Sequence, residues 1–360
     1  MKSLYVIGMA GSGKTALCVG LAERFREEGL RVSFFKPVGN VAGLRKNQDM
    51  DAVLMKDLLG MENPLEDIVL FTTGPSYLTS LTTYCDKQSI GQYSLAGVEV
   101  KRAFDKVAAN ADLVLIEGTT SPQAMASVGL DAFTLARELG SMVLMVSRIA
   151  NDLDLDTALL YNSYARALNL PVVGNVLNNV PRTILDKSKG VYKPILEKQG
   201  FPVLGVIPSH TEITSPTVEE ICDVLTAEVL AGKANLQNLV EDVLIGAMTF
   251  ESALRYFRRS TNKAVVTGGD RSDVALAALE TSTSVLILTG GLFPDIGVLN
   301  KAEEKGIPVL LVQDDTYTAV QKLRAITRKI KPHDEQGIRV ARETIREHCD
   351  CDPIVDAIRG

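Results

Sequence analysis

Residues 8–15 read Gly-Met-Ala-Gly-Ser-Gly-Lys-Thr, which matches the phosphate-binding loop pattern G-x-x-x-x-G-K-[ST]. A short apolar run at residues 4–7 precedes the loop, and residues 16–22 follow it with the composition of a helix. A strand, a glycine-rich loop and a helix N-terminus together form an anion site, because backbone N–H groups and the helix dipole favour negative charge there. This order of elements predicts a nucleotide-binding loop. The alternative is a glycine-rich turn without a ligand.

Each residue type in this loop suits contact with a nucleotide. The glycines let the backbone bend and approach the phosphates closely. Lys14 would reach the β- and γ-phosphates, and the hydroxyl of Thr15 would bind Mg²⁺. The predicted nucleotide-binding residues of the loop are Gly8, Gly11, Ser12, Gly13, Lys14 and Thr15.

The composition excludes several classes of function. The chain has 360 residues, a net charge of −6 and 46% hydrophobic residues. Nothing in this net charge suggests a basic surface for nucleic acid, and no apolar run approaches the roughly 20 residues of a membrane span. The five scattered cysteines are typical of reduced thiols in the cytosol. We therefore expect a cytoplasmic protein with neither nucleic-acid nor membrane partners.

Apolar strands alternate with helical patterns over the first 210 residues. Helical patterns lie between most of the strands, for example at residues 97–109 and 131–139. Because these strands are apolar along their whole length, both faces of the sheet should be covered by helices, which is typical of parallel sheets. The pattern predicts the α/β fold of a P-loop NTPase, a parallel sheet with helices on both faces. The predicted strands are residues 4–7, 32–35, 113–116, 142–146, 172–177 and 203–207.

A second, smaller α/β domain is predicted after a polar stretch and a helix. The alternation restarts with apolar runs at residues 242–245, 264–266, 285–288 and 309–312. The last thirty residues are charged, with one predicted helix at residues 335–348. The expected organisation is a nucleotide-binding domain at 1–210, a connecting helix at 211–234, a second domain at 235–330 and a helical tail at 331–360.

Polar residues near strand ends are further candidates for the nucleotide site. Lys36 follows the second strand and would point into the crevice where open α/β sheets bind ligands. Glu117 ends another strand and can hold Mg²⁺, and Asn178 can pair with a base edge. Asp49 and Asp51 open a helix. The alternatives are a surface lysine, a loop acid without a partner, helix caps and a turn residue.

Taken together, these positions resemble dethiobiotin synthetase and its relatives over residues 1 to about 210. That resemblance implies that Lys14 and Lys36 bind phosphate and substrate, as the catalytic residues. It implies that Thr15, Asp51 and Glu117 hold Mg²⁺, that Asn178 reads adenine, and that the protein is a homodimer. The matching segments are residues 8–15, Lys36-Pro37-Val38, Asp51-Ala52, Glu117-Gly118, the turn from Gly174 to Asn178, and residues 205–208.

The sequence departs from the synthetase in the half of the site that binds substrate. The family follows its Glu-Gly with small residues, typically Ala-Gly-Gly, whereas this chain has Thr119-Thr120-Ser121-Pro122. After Lys-Pro-Val the synthetase has a small polar turn, whereas residues 39–41 lead here into a charged stretch at residues 45–49. These departures put the ring-closing carboxylation of the synthetase in doubt.

The predicted second domain resembles the DRTGG domain through Asp270, Arg271, Thr289, Gly290 and Gly291. Two glycine turns at neighbouring strand ends, exposing backbone N–H groups beside an arginine at a helix start, would suit an unknown anionic small molecule. The alternative is a structural role, with Asp270 as the N-cap and Arg271 paired to a nearby aspartate, Asp273 or Asp295.

The two domains in this order resemble the N-terminal half of long phosphotransacetylases, which is regarded as regulatory. The chain ends at residue 360, before an acyltransferase domain, so we expect no acetyl transfer from it alone. The favoured hypothesis is a nucleotide-responsive regulator or sensor that binds ATP and Mg²⁺ and hydrolyses ATP slowly or not at all. The alternative is an ATP-dependent ligase that phosphorylates a carboxylate or carbamate. A partitioning ATPase would need an early loop lysine, where this chain has Met9 and Ala10.

Overall fold

Two units make up the chain in a computed structural model that describes residues 2–40, 48–73, 95–210, 213, 215–326 and 330–359. The first unit comprises Met1–Ile213 together with Lys329–Gly360, and the second comprises Thr214–Arg328. The second unit is therefore inserted between two segments of the first. The charged residues 45–47 and Cys85 lie outside the described residues.

A six-stranded parallel sheet forms the centre of the first unit, with the strand order β2-β5-β1-β6-β7-β8. A separate parallel pair joins β3 and β4. Strands β2 and β5 lie on one side of β1, and β6, β7 and β8 lie on the other. Such folds bind ligands at the carboxyl ends of the central strands, where the strand order changes direction. The strands are β1 (Lys2–Gly8), β2 (Val32–Phe35), β3 (Val38–Asn40), β4 (Phe71–Thr73), β5 (Leu113–Glu117), β6 (Met142–Arg148), β7 (Val172–Val180) and β8 (Val203–Pro208).

Helices connect these strands, as the near-continuous burial of the strands requires. All five residues of β5 and six of the seven in β1 are buried, so neither face of the sheet can be left to water. This confirms the predicted fold of the nucleotide-binding half. The helices are α1 (Lys14–Glu27), α2 (Met50–Leu59), α3 (Leu65–Ile68), α4 (Leu95–Ala108), α5 (Ala132–Glu138), α6 (Asp152–Ala167), α7 (Leu185–Lys187) and α8 (Lys193–Lys198).

The second unit has a five-stranded sheet with the order β10-β11-β12-β13-β9. Four strands are parallel, and the edge strand β9 runs antiparallel to β13. The sequence does not predict β9, because this half-exposed edge strand of four residues lacks the continuous apolar run of its neighbours. The strands are β9 (Glu228–Ala231), β10 (Asp242–Ile245), β11 (Lys263–Gly268), β12 (Thr283–Thr289) and β13 (Val309–Leu311).

Among the described residues of the second unit, five helices accompany this sheet, and the first of them differs from the sequence-based expectation. The predicted connecting helix is α9, and it belongs to the second unit. Its residues Val218, Ile221 and Leu225 are buried in one apolar cluster with strand residues such as Val266 and Ile287, so it covers the sheet. The helices are α9 (Val218–Leu225), α10 (Phe250–Phe257), α11 (Ser272–Leu279), α12 (Ile296–Lys305) and α13 (Thr316–Ala325).

The C-terminal segment returns to the first unit as two helices, α14 (Glu335–His348) and α15 (Asp352–Arg359). The sequence predicts one helix in this segment, at residues 335–348, whereas the structure has two. The amphipathic pattern of α15 is short, yet Ile354 and Val355 are buried in the main core of this unit. Between the helices, the Asp350 N–H donates to the carbonyl of Leu204 in β8 at 2.8 Å. The tail is therefore an integral part of the nucleotide-binding unit.

Close contact between α14 and α1 depends on Gly20. A Cβ at Gly20 would lie 2.7 Å from the carbonyl oxygen of Ala341 and would overlap the side chain of Ile345. We expect Gly20→Ala to lower the free energy of unfolding by about 1–3 kcal/mol, the usual cost of overpacking. Urea unfolding checks this, with Gly190→Ala as the control, because a Cβ there meets no atom within 4 Å. Equal midpoints for the two variants would contradict the prediction.

No helix within the described ranges is both long and apolar enough to cross a bilayer. The four cysteines in that part of the chain, Cys18, Cys222, Cys349 and Cys351, are free thiols.

Candidate nucleotide-binding site

The loop between β1 and α1 has the backbone conformation that its glycines allow. Gly11 and Gly13 have φ angles of 70° and 83°, in the left-handed region that favours glycine. A Cβ at Gly13 would overlap the amide of Asn178, and one at Gly8 would overlap the carbonyl oxygen of Val146. The turn conformation therefore favours glycine at positions 11 and 13, and the close approach of neighbouring strands requires it at positions 8 and 13.

Lys14 lies folded back over the loop at the start of α1. Its Nζ donates to the carbonyl oxygens of Gly8 at 2.9 Å and Met9 at 3.0 Å. Burial lowers the pKa of Lys14 to about 8, although the nearby Glu117 carboxylate opposes this shift. The ammonium is thus placed inside the loop, where the sequence predicted a contact with phosphates.

A buried cluster of charges lies beside the loop, centred on Lys36. Its Nζ is 2.5 Å from Asp51 Oδ2, 3.0 Å from Glu117 Oε1 and 3.2 Å from the carboxylate of Asp49. Burial disfavours the charge on Lys36, but the three carboxylates together raise its pKa above the usual value. Burial in turn raises the pKa of Glu117. The structure therefore brings Lys36, Asp51 and Glu117 together as the sequence suggested.

The sequence suggests a helix cap at Asp49, and the structure gives this residue a second role. Its carboxylate accepts the backbone N–H groups of Asp51 and Ala52 and so caps α2. The same carboxylate contacts Lys36. A lysine after a strand, followed by Asp-x-Asp at a helix start, is the signal that could have indicated this pairing.

The residues predicted to hold Mg²⁺ fit a divalent cation. The Thr15 hydroxyl donates to Glu117 Oε1 at 3.1 Å, so it lies at the carboxylate cluster. Glu117 Oε2 is buried and accepts no hydrogen bond from any described residue, which is a costly state for a carboxylate oxygen. Hydroxyl and carboxylate oxygens are the ligands that Mg²⁺ prefers.

Protein side chains supply only part of such a metal site. Within the described ranges, no three His, Cys, Asp or Glu side chains are arranged to hold a metal ion by themselves. Mg²⁺ is usually bound by one or two carboxylates together with substrate phosphates and water. The arrangement of Thr15, Asp51 and Glu117 therefore suits a cation that arrives with a nucleotide.

Two asparagines near the carboxyl end of β7 support the loop from the other side. Asn178 donates from Nδ2 to the carbonyl oxygen of Ser12 at 2.8 Å, and Asn179 donates to that of Gly11 at 3.1 Å. Asn178 is thus at the candidate site, and in the structure its amide positions the loop. Its contact with adenine stays a prediction.

The second predicted ligand set lies at adjacent strand ends, as expected. Gly268 at the end of β11 is in register with Thr289 at the end of β12. However, the N–H groups of Gly290 and Gly291 donate to the carbonyl oxygens of Asp314 and Val312, both at 2.9 Å. The expectation that this turn exposes free N–H groups is wrong for these two glycines, because the chain after β13 pairs with them.

Arg271 in the same region has protein partners. Its guanidinium donates to Asp273 at 3.0 and 3.1 Å and to the carbonyl oxygen of Met248 at 2.9 Å. Arg271 itself is the N-cap residue of α11, in place of Asp270. The ligand set of the second unit stays a prediction, which a thermal-shift screen of nucleotides can check. Equal stabilisation of the wild type and Arg271→Ala by the same nucleotide would show that Arg271 is not part of this ligand set.

Comparisons with known proteins assign both parts of the chain. An AAA domain family matches residues 2–217, and the DRTGG domain matches residues 220–326. The phosphate acetyltransferase of Nitratidesulfovibrio vulgaris is 29% identical over an alignment of 358 residues, covering 94% of this chain and 49% of that protein. The phosphate acetyltransferase of Pseudomonas putida is 24% identical over 356 residues, with coverage of 94% and 49%.

A solved structure of the CBS and DRTGG domains of the regulatory region of Clostridium perfringens pyrophosphatase is also similar. It was determined with the activator diadenosine tetraphosphate, and it aligns with 18% identity and a TM-score of 0.28 over 45% of this chain and 82% of that one. The chain spans about half the length of the curated relatives that it matches. It belongs to the AAA domain family, and its P-loop domain is followed by a DRTGG domain as in the N-terminal region of long phosphotransacetylases.

Proposed function

We propose that this chain binds ATP with Mg²⁺ and acts as a nucleotide-responsive regulator, hydrolysing ATP slowly or not at all. One observation carries the proposal: the loop lysine, the Thr15 hydroxyl and a buried carboxylate cluster lie together at the carboxyl edge of the sheet. The resemblance to the regulatory half of phosphotransacetylases supports a regulatory role. A homodimer stays a prediction, and light scattering giving the monomer mass of 38.9 kDa at micromolar concentration would contradict it.

The parts of the site divide the work of binding. The backbone N–H groups of the loop and the Lys14 ammonium would bind the phosphate chain. Thr15, Asp51 and Glu117 would hold Mg²⁺, which neutralises charge on the phosphates when bound. Since Lys36 is in contact with the same carboxylates, it would have to change partners before it could touch a phosphate.

The choice between a regulator and a ligase depends on the acceptor side of the site. A ligase must orient an acceptor near the γ-phosphate, which needs free polar groups there. Lys36 is engaged by three carboxylates. The hydroxyl of Thr119, next to Gly118, is buried and has no hydrogen-bond partner in the described part of the chain. That hydroxyl favours the ligase as the second candidate function, but one hydroxyl alone is not enough to orient an acceptor.

ADP release distinguishes the two candidate functions. A regulator is expected to bind ATP and to release ADP at the same slow rate with or without a small-molecule extract of cells. A ligase is expected to release ADP only when an acceptor in that extract is present. Acceleration by the extract that disappears in Lys14→Ala would contradict the regulator and support the ligase.

Thr15→Ala is expected to weaken ATP binding mainly in the presence of Mg²⁺. The hydroxyl would be a metal ligand, so its loss should reduce the ATP affinity in Mg²⁺ by roughly 10- to 100-fold, while the affinity in EDTA stays unchanged. Calorimetric titration under both conditions measures this. Thr157→Ala is the control, because that hydroxyl donates to the carbonyl oxygen of Leu153 within α6. Full Mg²⁺ dependence in Thr15→Ala would contradict the predicted ligand.

A further inference from the structure

Arg148 stands beside the phosphate loop at the carboxyl end of β6. In the pairing of β6 with β1, Val146 is in register with Gly8, so Arg148 extends two residues beyond the level at which the loop begins. In the pairing with β7, Arg148 is in register with Asn178, whose amide holds the carbonyl of Ser12. The strand register therefore places a cation between the loop and the asparagine that supports it.

The guanidinium of Arg148 reaches the loop and makes no ion pair with any described residue. One of its terminal nitrogens lies 3.9 Å from the position that a Cβ on Gly11 would occupy. The side chain is exposed, and within the described ranges no hydrogen bond or ion pair joins it to another residue. Arg31, for comparison, makes a two-pronged contact with Asp112 at 2.7 and 3.0 Å. Arg148 is thus a guanidinium without a partner in the described part of the chain.

We propose that Arg148 binds the phosphate chain of the nucleotide at the rim of the loop. This inference rests on the proposed nucleotide binding and adds a residue that the loop pattern does not contain. A guanidinium offers parallel N–H donors that match two phosphate oxygens. Lys14 is buried within the loop, whereas Arg148 is exposed at its rim, so the two cations would contact the phosphate chain from different sides.

Calorimetric titration of the full chain with Mg²⁺-ATP tests the proposal, with inorganic tripolyphosphate measured by its competition with ATP. Arg148→Ala is expected to weaken both ligands by about 10- to 100-fold, the scale of one charge-assisted contact. Arg148→Lys is expected to restore part of this loss, because it keeps the charge but lacks the fork. The melting temperature without nucleotide is expected to stay unchanged, since the exposed side chain bonds to no described residue.

Arg102→Ala is the matched control, because Arg102 is an exposed arginine on α4, and it is expected to bind like the wild type. Wild-type ATP affinity in Arg148→Ala would overturn the proposal while leaving the proposed function intact. A loss for ATP but not for tripolyphosphate would also overturn it, because the guanidinium would then contact the base. If the wild type bound neither ligand, the proposed function would fail first and this inference with it.

Discussion

Lys14→Ala is expected to abolish ATP binding at ligand concentrations that saturate the wild type. The Lys14 ammonium is the loop's own cation and lies among the loop carbonyls at 2.9 and 3.0 Å, where the β- and γ-phosphates would replace them as partners. Loss of contacts to two charged groups corresponds to an affinity decrease of roughly 100-fold or more. Calorimetric titration with Mg²⁺-ATP measures the effect.

The variant should lose the ligand without losing the fold. Burial lowers the pKa of Lys14 to about 8, which means that the folded protein holds the charged form at a cost. Removal of that charge is therefore expected to leave the melting temperature unchanged or higher. Lys198→Ala, an exposed lysine on α8, is the control and should bind ATP normally. Wild-type ATP affinity in Lys14→Ala would contradict the assignment of the loop.

Lys36→Met is expected to cause a large loss of stability in the ligand-free protein. Lys36 is 3% exposed, and its removal would take away the ammonium that contacts the buried carboxylates of Asp49, Asp51 and Glu117. Breaking a buried ion pair by removing one partner typically costs about 3–5 kcal/mol. Urea unfolding at neutral pH, read by circular dichroism, gives the change in the free energy of unfolding.

The pH range of this effect follows from the direction of the Lys36 shift. Its pKa is raised in the folded protein, so its contribution to stability is present below the unfolded pKa of about 10.4 and is lost only as the pH rises through the folded value. Neutral pH lies well inside the stabilising range. A neutral-pH midpoint equal to that of the wild type would contradict the cluster as described.

Millimolar Mg²⁺ is expected to restore part of the stability of Lys36→Met, because it would meet the same carboxylates that the ammonium now contacts. Lys56→Met is the matched control: Lys56 donates to the carbonyl oxygens of Met61 and Asn63 at 2.8 and 2.5 Å, so its loss exposes no carboxylate cluster. Mg²⁺ should not stabilise that variant more than the wild type. If Lys36→Met is destabilised but Mg²⁺ does not restore its stability, the proposed metal site is contradicted, whereas the ion-pair cluster is not.

Local sequence was sufficient for the loop, the long buried strands and many of the helices. The phosphate loop needs glycines within a few residues of one another, and the buried strands need short continuous apolar runs. Both requirements concern residues that are close together in the sequence, so a local sequence pattern is enough to predict them. The order of the two domains was predictable for the same reason, because each domain carries its own local motifs.

Tertiary structure decided what the polar residues contact. Glu117 is far from Lys36 and Asp51 in sequence, and only the pairing of β2 with β5 brings it to Lys36. The register of β6 likewise places Arg148 over the loop. Nothing around Arg148 in the sequence marks it, because strand register depends on packing across the whole sheet.

Contacts between residues far apart in sequence also explain which of the predictions were wrong. The N–H groups of Gly290 and Gly291 were expected to be free, but carbonyl groups more than twenty residues further along the chain accept their hydrogen bonds. The last residues read as a tail, but α14 packs on α1 where Gly20 leaves room. Local patterns therefore determined which elements form and where a phosphate can bind. Long-range packing decided which charged side chains are paired, which are not, and on which unit the last two helices pack. The reason is that those contacts join residues that no local pattern connects.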